Sequence, residues 1–259
     1  MSAGKRSLSF CVMILSFIMT LHFFTGSAIA ADPEQSLSAM AKKIAELKQF
    51  SVTMHMGYDV VQESGQKIEF SEIRKVTIDR PNHLRSDVEQ SDGDVSLFIF
   101  DGRKITLFNA SENVYTQIDH LSDLDSAIRY AVGEMGIRVP LARVLLTTFP
   151  ADLKKLTLSL DYVEHNTLGE TPTDHIAGQL ANVDYQIWIA EDQLPRRIVM
   201  TYKNVPGQPQ FWAEFSDWNL APAISSETFV FIPPKGAEKI SSFLPAINME
   251  ATGKTAGGS

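Results

Sequence analysis

From residue 50 onward the chain repeatedly alternates apolar and polar residues one for one, and this limits the fold more than any other feature. Phe50, Val52, Met54, Met56, Tyr58 and Val60 interleave with Ser51, Thr53, His55, Gly57 and Asp59. Successive side chains of a strand point to opposite faces, so the pattern demands a strand with one buried and one wet face. After the turn Glu63-Ser64-Gly65-Gln66, Ile68 and Phe70 begin a return strand, and Val76 and Ile78 continue a third. Arg80-Pro81-Asn82 breaks the pattern before Leu84 to Val88 resume it. Val95 to Phe100 and Ile105 to Phe108 flank Asp101-Gly102, a hairpin signal, and Tyr115 to Ile118 follow. Strand, short turn and strand in succession predict an antiparallel meander.

The same period returns later. Leu156, Leu158 and Leu160 alternate, and Ile176 lies in a strand after Thr171-Pro172. Tyr185, Ile187 and Ile189 are followed by Ile198, Met200 and Tyr202, then by Phe211, Ala213 and Phe215. Phe229 and Phe231 make a last short strand before Pro233-Pro234. Two regions instead have helical spacing. Asp32-Pro33 reads as N-cap and first helical residue, and Leu37, Met40, Ile44 and Leu47 form a stripe that predicts a helix over 33–48. Ser122 with Asp125 resembles a capping box, and Leu124, Ile128, Ala131 and Met135 give a stripe ended by Gly136. Pro140 opens a second short helix through Leu141, Val144 and Leu145, with Phe149 before Pro150.

These elements define a mainly β (α+β) chain with about ten strands, a number that must curl, close or be covered. The predicted architecture is a curved, unclosed antiparallel β-barrel with an N-terminal helix and an inserted helical pair covering its concave face. Two packed sheets are the alternative. No linker divides the chain, so residues 31–249 are expected to form one domain and 250–259 a disordered tail.

The N-terminus indicates where the chain goes. Lys5 and Arg6 precede an apolar run from Leu8 to Phe24, and Ala28-Ile29-Ala30 places small residues where a signal peptidase reads them. Residues 1–30 are therefore expected to be a secretory signal cleaved after Ala30, with an uncleaved membrane anchor as the alternative. No other stretch approaches a membrane span. The single cysteine, Cys11, lies in that segment, so the mature chain would have no disulfide, no thiol nucleophile and no cysteine to lipidate. Of 23 basic residues Lys5 and Arg6 fall in the signal, leaving 21 against 31 acidic ones. That surface excludes nucleic acid and electrostatic docking on anionic lipid, both of which need basic clusters.

Catalytic signatures are lacking. The mature chain has His55, His83, His120, His165 and His175 without metal-ligand spacing, so no metal and no cofactor are expected. Asp174-His175 is the one adjacent acid–His pair, but neighbours on a strand face opposite ways. No nucleophile elbow, phosphate loop or dinucleotide glycine pattern occurs. Asn109-Ala110-Ser111 matches a glycosylation acceptor and sits in a turn for ordinary reasons.

The apolar strand faces have two readings, a packed core or a cavity for a lipid or acyl chain. The cavity would be walled by Met54, Met56 and Tyr58, by Leu97 and Ile99, and by Ile187 and Ile189. Met200 and Tyr202 with Phe211 and Phe215 would complete the sheet side, and Leu124, Ile128, Leu141 and Leu145 would form the lid. Trp188, Trp212 and Trp218 are expected outside, the first two because their parity is opposite to that of their apolar neighbours.

Several stretches together resemble a known exported family. They are Phe100-Asp101-Gly102-Arg103-Lys104-Ile105-Thr106-Leu107-Phe108, Thr173-Asp174-His175-Ile176-Ala177-Gly178, the Trp188-Ile189 strand, Leu194-Pro195-Arg196-Arg197-Ile198-Val199, and Phe215-Ser216-Asp217-Trp218-Asn219-Leu220. The family is that of predicted periplasmic proteins called domain of unknown function 2092, and the resemblance covers about 35–235. It is similar in fold to periplasmic lipoprotein carriers and receptors, in which an unclosed barrel holds acyl chains beneath a helical lid. The resemblance implies that architecture and, by analogy, a periplasmic binding or carrier protein without catalysis. Its partner would be a lipid or acylated protein, with no permanent membrane anchor once the signal is removed. An envelope-protein interaction module with a packed core is the second reading, and a hydrolase using scattered acids or His175 the third.

Overall fold

The computed structural model describes residues 32–137 and 141–241. The expected signal segment with Ala28 and Ala30, Pro140 and the tail from 250 lie outside the described residues. The chain opens with helix α1 (Pro33–Glu46), whose Asp32 side chain accepts from the Glu34 N–H and whose Pro33 occupies the first turn. Six strands follow: β1 (Gln49–Val61), β2 (Lys67–Asp79), β3 (His83–Gln90), β4 (Val95–Phe100), β5 (Lys104–Asn109) and β6 (Val114–Asp119). Helix α2 (Leu124–Gly133), a 3-10 turn (Ala142–Leu145) and helix α3 (Phe149–Leu156) interrupt the meander. It resumes with β7 (Ser159–Leu168), β8 (Thr171–Gln179), β9 (Val183–Ala190), β10 (Pro195–Tyr202) and β11 (Gln210–Asn219), and ends on the two-residue β12 (Glu238–Lys239).

The twelve strands of the described residues join one curved, unclosed sheet in the order β12-β6-β5-β4-β3-β2-β1-β11-β10-β9-β8-β7. The meanders β1–β6 and β7–β11 meet where β11 pairs with β1, and every pairing is antiparallel except β12 with β6. The predicted architecture holds, with four differences in detail. Ile68, Phe70, Val76 and Ile78 belong to one strand, because β1 pairs with β2 along its whole length from Gln49↔Asp79 to Val61↔Lys67. The polar Glu72 and Arg74 that seem to split it satisfy each other, as Arg74 Nη2 donates to Glu72 Oε1 at 2.8 Å. Helix α2 is capped by Asp123, whose carboxylate accepts from Ser126 N–H, and not by Ser122. Pro150 opens α3 rather than ending a helix, since a first-turn proline forfeits no hydrogen bond, and Leu156 is therefore helical. Phe229 and Phe231 form no strand. Phe229 ends a turn over 226–229, and both lie in the segment that runs over the convex face of the sheet.

The core fills the concave side. Leu37, Met40, Ala41 and Ile44 of α1 and Leu124, Ala127, Ile128 and Ala131 of α2 belong to one buried cluster with Phe50, Val52, Met54 and Met56. Each fully buried side chain of this size contributes about 1.5–3 kcal/mol. The convex face of the β3–β6 side is crossed by residues 220–241. Phe229 stacks on His83 with centroids 4.9 Å apart, Phe231 packs on Phe108 and Tyr115, and Arg85 Nη1 donates to Thr228 O at 3.2 Å.

Candidate functional site

Cross-strand partners share a face, so the register orders the concave surface into rungs. Phe50 and Ile78 occupy one end, followed by Val52 with Val76 and then Met54 with Arg74 and Phe215. Met56 with Glu72 and Ala213 come next, then Tyr58 with Phe70 and Phe211, and last Val60 with Ile68. The first four rungs are largely buried, with Phe50 and Met56 fully so. The last two emerge: Phe70 is 43% and Ile68 40% exposed, with Phe70 stacked on Tyr58 at 6.0 Å. Met200 pairs with Phe211 and continues this apolar rim across β10.

The structure gathers most of the expected cavity residues. Met54, Met56, Leu124, Ile128, Ile187, Ile189, Phe211 and Phe215 are buried in one cluster, and Tyr58, Leu141, Leu145, Met200 and Tyr202 pack against it. Leu97 and Ile99 are placed elsewhere. They pair with Asp87 and Arg85 on the convex face, while Phe98 and Phe100 take the concave one. The run Leu97-Phe98-Ile99-Phe100 is apolar at both parities, because the concave core buries one side and Ile99 is buried on the other. Trp188 and Trp212 lie on the convex face as their parity implies. Trp218 instead packs on Phe50 and Phe215, and its Nε1 donates to Pro195 O at 3.1 Å.

Two polar features of this region were not legible in the sequence. The first is Arg74, buried on the concave face, whose Nε donates to Glu72 and Nη1 to Ser86 Oγ at 3.3 Å. Its ion pair with Glu72 links the third and fourth rungs, and the open rim begins at the next one, with Tyr58 and Phe70. The second is Arg80, which ties the helical cover together. Its Nε donates to Leu47 O at 3.1 Å, just past α1, and its Nη2 to Leu145 O at 2.7 Å in the 3-10 turn. Nη1 lies 3.9 Å from Asp125 of α2, whose carboxylate accepts from both the N–H and the hydroxyl of Thr147.

Helix α3 is held by a hydroxyl pair, Thr157 Oγ1 and Tyr185 Oη at 3.2 Å. Tyr185 lies over Gly178, where an added Cβ would come within 2.3 Å of its ring, so only glycine leaves room. Burial raises the Tyr185 phenol above its ordinary value of 10.0. A raised folded pKa means stability is fully present below the unfolded value and lost as pH climbs towards the folded one. Tyr185→Phe should therefore flatten the loss of stability above about pH 10, measured as urea midpoints from pH 8 to 11. An unchanged alkaline slope would refute this.

His175 and Asp174 face opposite ways, as neighbours on a strand must. His175 stacks on Trp188 at 4.1 Å and meets Gln186 Oε1 at 3.0 Å, whereas Asp174 bonds His165 Nδ1 at 3.0 Å. Tyr162 donates to the same carboxylate, and desolvation first, then the charge of Asp174, raises its pKa. Among the described residues no group of three or more His, Cys, Asp or Glu is placed to hold a metal, and no helix is long and apolar enough to cross a membrane.

An unclosed antiparallel sheet with helices on its concave side and an apolar rim beyond them defines the class: a curved β half-barrel with a helical cover. The chain belongs to the family described as Predicted periplasmic protein (DUF2092), whose model matches residues 33–243. Curated proteins offer no match. Among solved structures, LprF from Mycobacterium bovis is 13% identical with a TM-score of 0.47, covering 74% of this chain and 94% of that one. A LolA superfamily protein from Nitrosomonas europaea is 10% identical with a TM-score of 0.37, covering 78% and 99%. MucB of the Pseudomonas aeruginosa MucA/MucB complex is 16% identical with a TM-score of 0.42, covering 78% and 62%. These likenesses concern the course of the chain alone.

Proposed function

We propose that the protein is a soluble periplasmic binding or carrier protein that takes an apolar ligand, a lipid or an acylated partner, on the concave face of its sheet, without catalysis. In this reading the signal is removed after Ala30 and residues 31–249 act as one domain. One observation carries the proposal: the concave face stays apolar past the end of its helical cover, leaving Phe70 and Ile68 exposed beside Tyr58, Met200 and Phe211. Contiguous exposed apolar surface marks a place where something else binds. An acyl chain would enter along this rim and lengthen its burial by displacing part of the helical cover.

The test is mass spectrometry of the mature protein purified from its native compartment without detergent, first intact and then after organic extraction. A near-stoichiometric apolar species in the wild type, lost in Phe70→Asp, supports the proposal. Phe70 is already 43% exposed, so this variant should fold with a stability change within about 0.5 kcal/mol. An apo mass for the wild type, or retention by the variant, overturns it. The second reading, an envelope-protein interaction module with a solid core, draws on the dense packing around Met54 and Met56, and an apo mass would favour it.

A further inference from the structure

The rungs of the concave face between Phe50 and Ile68 carry one charged pair, Arg74 and Glu72, and their other residues are apolar. The two side chains are only 9% and 13% exposed. A buried ion pair stabilises a fold little beyond what apolar residues of like volume would, so packing alone does not call for one here.

The pair leaves a hydrogen-bonding position open. Arg74 Nε and Nη2 both donate to Glu72 Oε1, at 3.0 and 2.8 Å, while Nη1 donates to Ser86 Oγ. Among the described residues Glu72 Oε2 accepts no hydrogen bond, yet it is not sealed in. Gln90 pairs with Glu72 across β2 and β3, so its amide shares the concave face. An acceptor and an amide that both donates and accepts therefore stand side by side.

This polar corner lies at one end of an apolar strip. The adjoining rung crosses five strands, from Phe70 through Tyr58, Phe211 and Met200 to Tyr185. Its four strand spacings make it roughly 19 Å long. Phe70, at the polar end, is exposed, whereas Tyr185, at the far end, is buried and bonded to Thr157 at the end of α3. An apolar groove with a few oriented polar groups fixes which way a ligand lies in it. The corner also selects the charge of the head. Arg74 and Glu72 neutralise each other, so an anionic or cationic head would bring an uncompensated charge into a poorly solvated face. A hydroxyl head brings none, and it can donate to Glu72 Oε2 and meet the Gln90 amide.

We propose that the ligand of the concave face is an acylglycerol, a lipid with an uncharged, hydroxyl-bearing head, seated with that head at Glu72 and Gln90 and its chain along the rung from Phe70 to Met200. This inference rests on the carrier reading and names the ligand class for it.

The probes are four lipids that share one hydrocarbon chain length: monoolein, oleate, oleylamine and methyl oleate. They are offered together, at equal concentration, to the delipidated mature protein, and native mass spectrometry reads the occupancy of each. Monoolein should exceed each of the others about tenfold or more, the worth of a hydrogen bond to a charged acceptor. Gln90→Leu leaves the ion pair intact and should lower that preference about threefold. Glu72→Leu combined with Arg74→Met removes the pair as a unit, so the protein should fold with a melting temperature within about 5 °C of the wild type. Its occupancies by monoolein and methyl oleate should then agree within about twofold. Equal occupancy of the wild type by methyl oleate or by either charged lipid, or an undiminished preference in folded Gln90→Leu and in the double variant, overturns the inference and leaves the carrier reading in place. No occupancy by any of the four overturns the carrier reading, and the inference falls with it.

Discussion

Arg80→Ala should lower the free energy of unfolding by about 3 kcal/mol or more, since it orphans buried hydrogen-bonding groups and strips a carboxylate of its cation. The Arg80 side chain is only 7% exposed and binds three separate pieces of the helical cover. Without it, the carbonyls of Leu47 and Leu145 lose their charged donor. Asp125 keeps Thr147 but loses the guanidinium. Burial depresses the pKa of Arg80, with Asp125 opposing that shift, yet a guanidinium remains charged, so pH is no substitute for mutation. Urea unfolding at neutral pH reads the effect, and a loss below about 1 kcal/mol would show that the three contacts are dispensable. Arg80→Lys should recover little, because an ammonium lacks the planar fork that reaches two carbonyls and a carboxylate at once. Should the helical cover move when a guest binds, the same residue sets the cost of moving it.

Phe50→Ala is expected to cost about 3–5 kcal/mol, the range for removing a fully buried phenylalanine. Phe50 is 0% exposed at the covered end of the concave face. It is held between strand neighbours, α1 and the ring of Trp218, whose centroid is 5.7 Å away. The neighbours that would have to move into the cavity are themselves held, Trp218 by its bond to Pro195 O and the end of α1 by Arg80. Differential scanning calorimetry with urea denaturation measures the change. A cost below about 1.5 kcal/mol, the size of a volume-conserving core swap, would mean that this end of the face collapses freely and is not rigidly packed. The contrast with Phe70→Asp is informative. The two phenylalanines share one face of one hairpin, and only one of them holds the fold together.

Much of this architecture was legible because strand alternation is a local property. The Phe50–Val60 pattern states its own period, and so do Tyr185–Ile189 and Phe211–Phe215, without reference to any distant residue. The same logic placed Trp188 and Trp212 outside. It failed where two burial environments act on one segment. Leu97 and Ile99 read as cavity residues because a strand apolar at both parities does not say which side faces the concavity. It also failed at Glu72 and Arg74, where two polar residues in a strand look like an interruption until their ion pair is seen. Trp218 was misplaced because the segment around it leaves strict alternation: Asp217 has a positive φ of 51°.

By itself, then, the sequence determined most of the strands, helix α1 with its apolar stripe, and the antiparallel order within each meander. All of these follow from periodicity, capping and composition over a few residues. Only the tertiary structure decided that β11 closes on β1, and that Arg80 joins three elements distant in sequence. Tertiary packing likewise decided that residues 220–241 cover the convex face, and that the helices stop short of Phe70 and Ile68. Those outcomes depend on contacts between residues tens to more than a hundred positions apart. Local pattern carries no term for such contacts, and chain geometry and packing select them together.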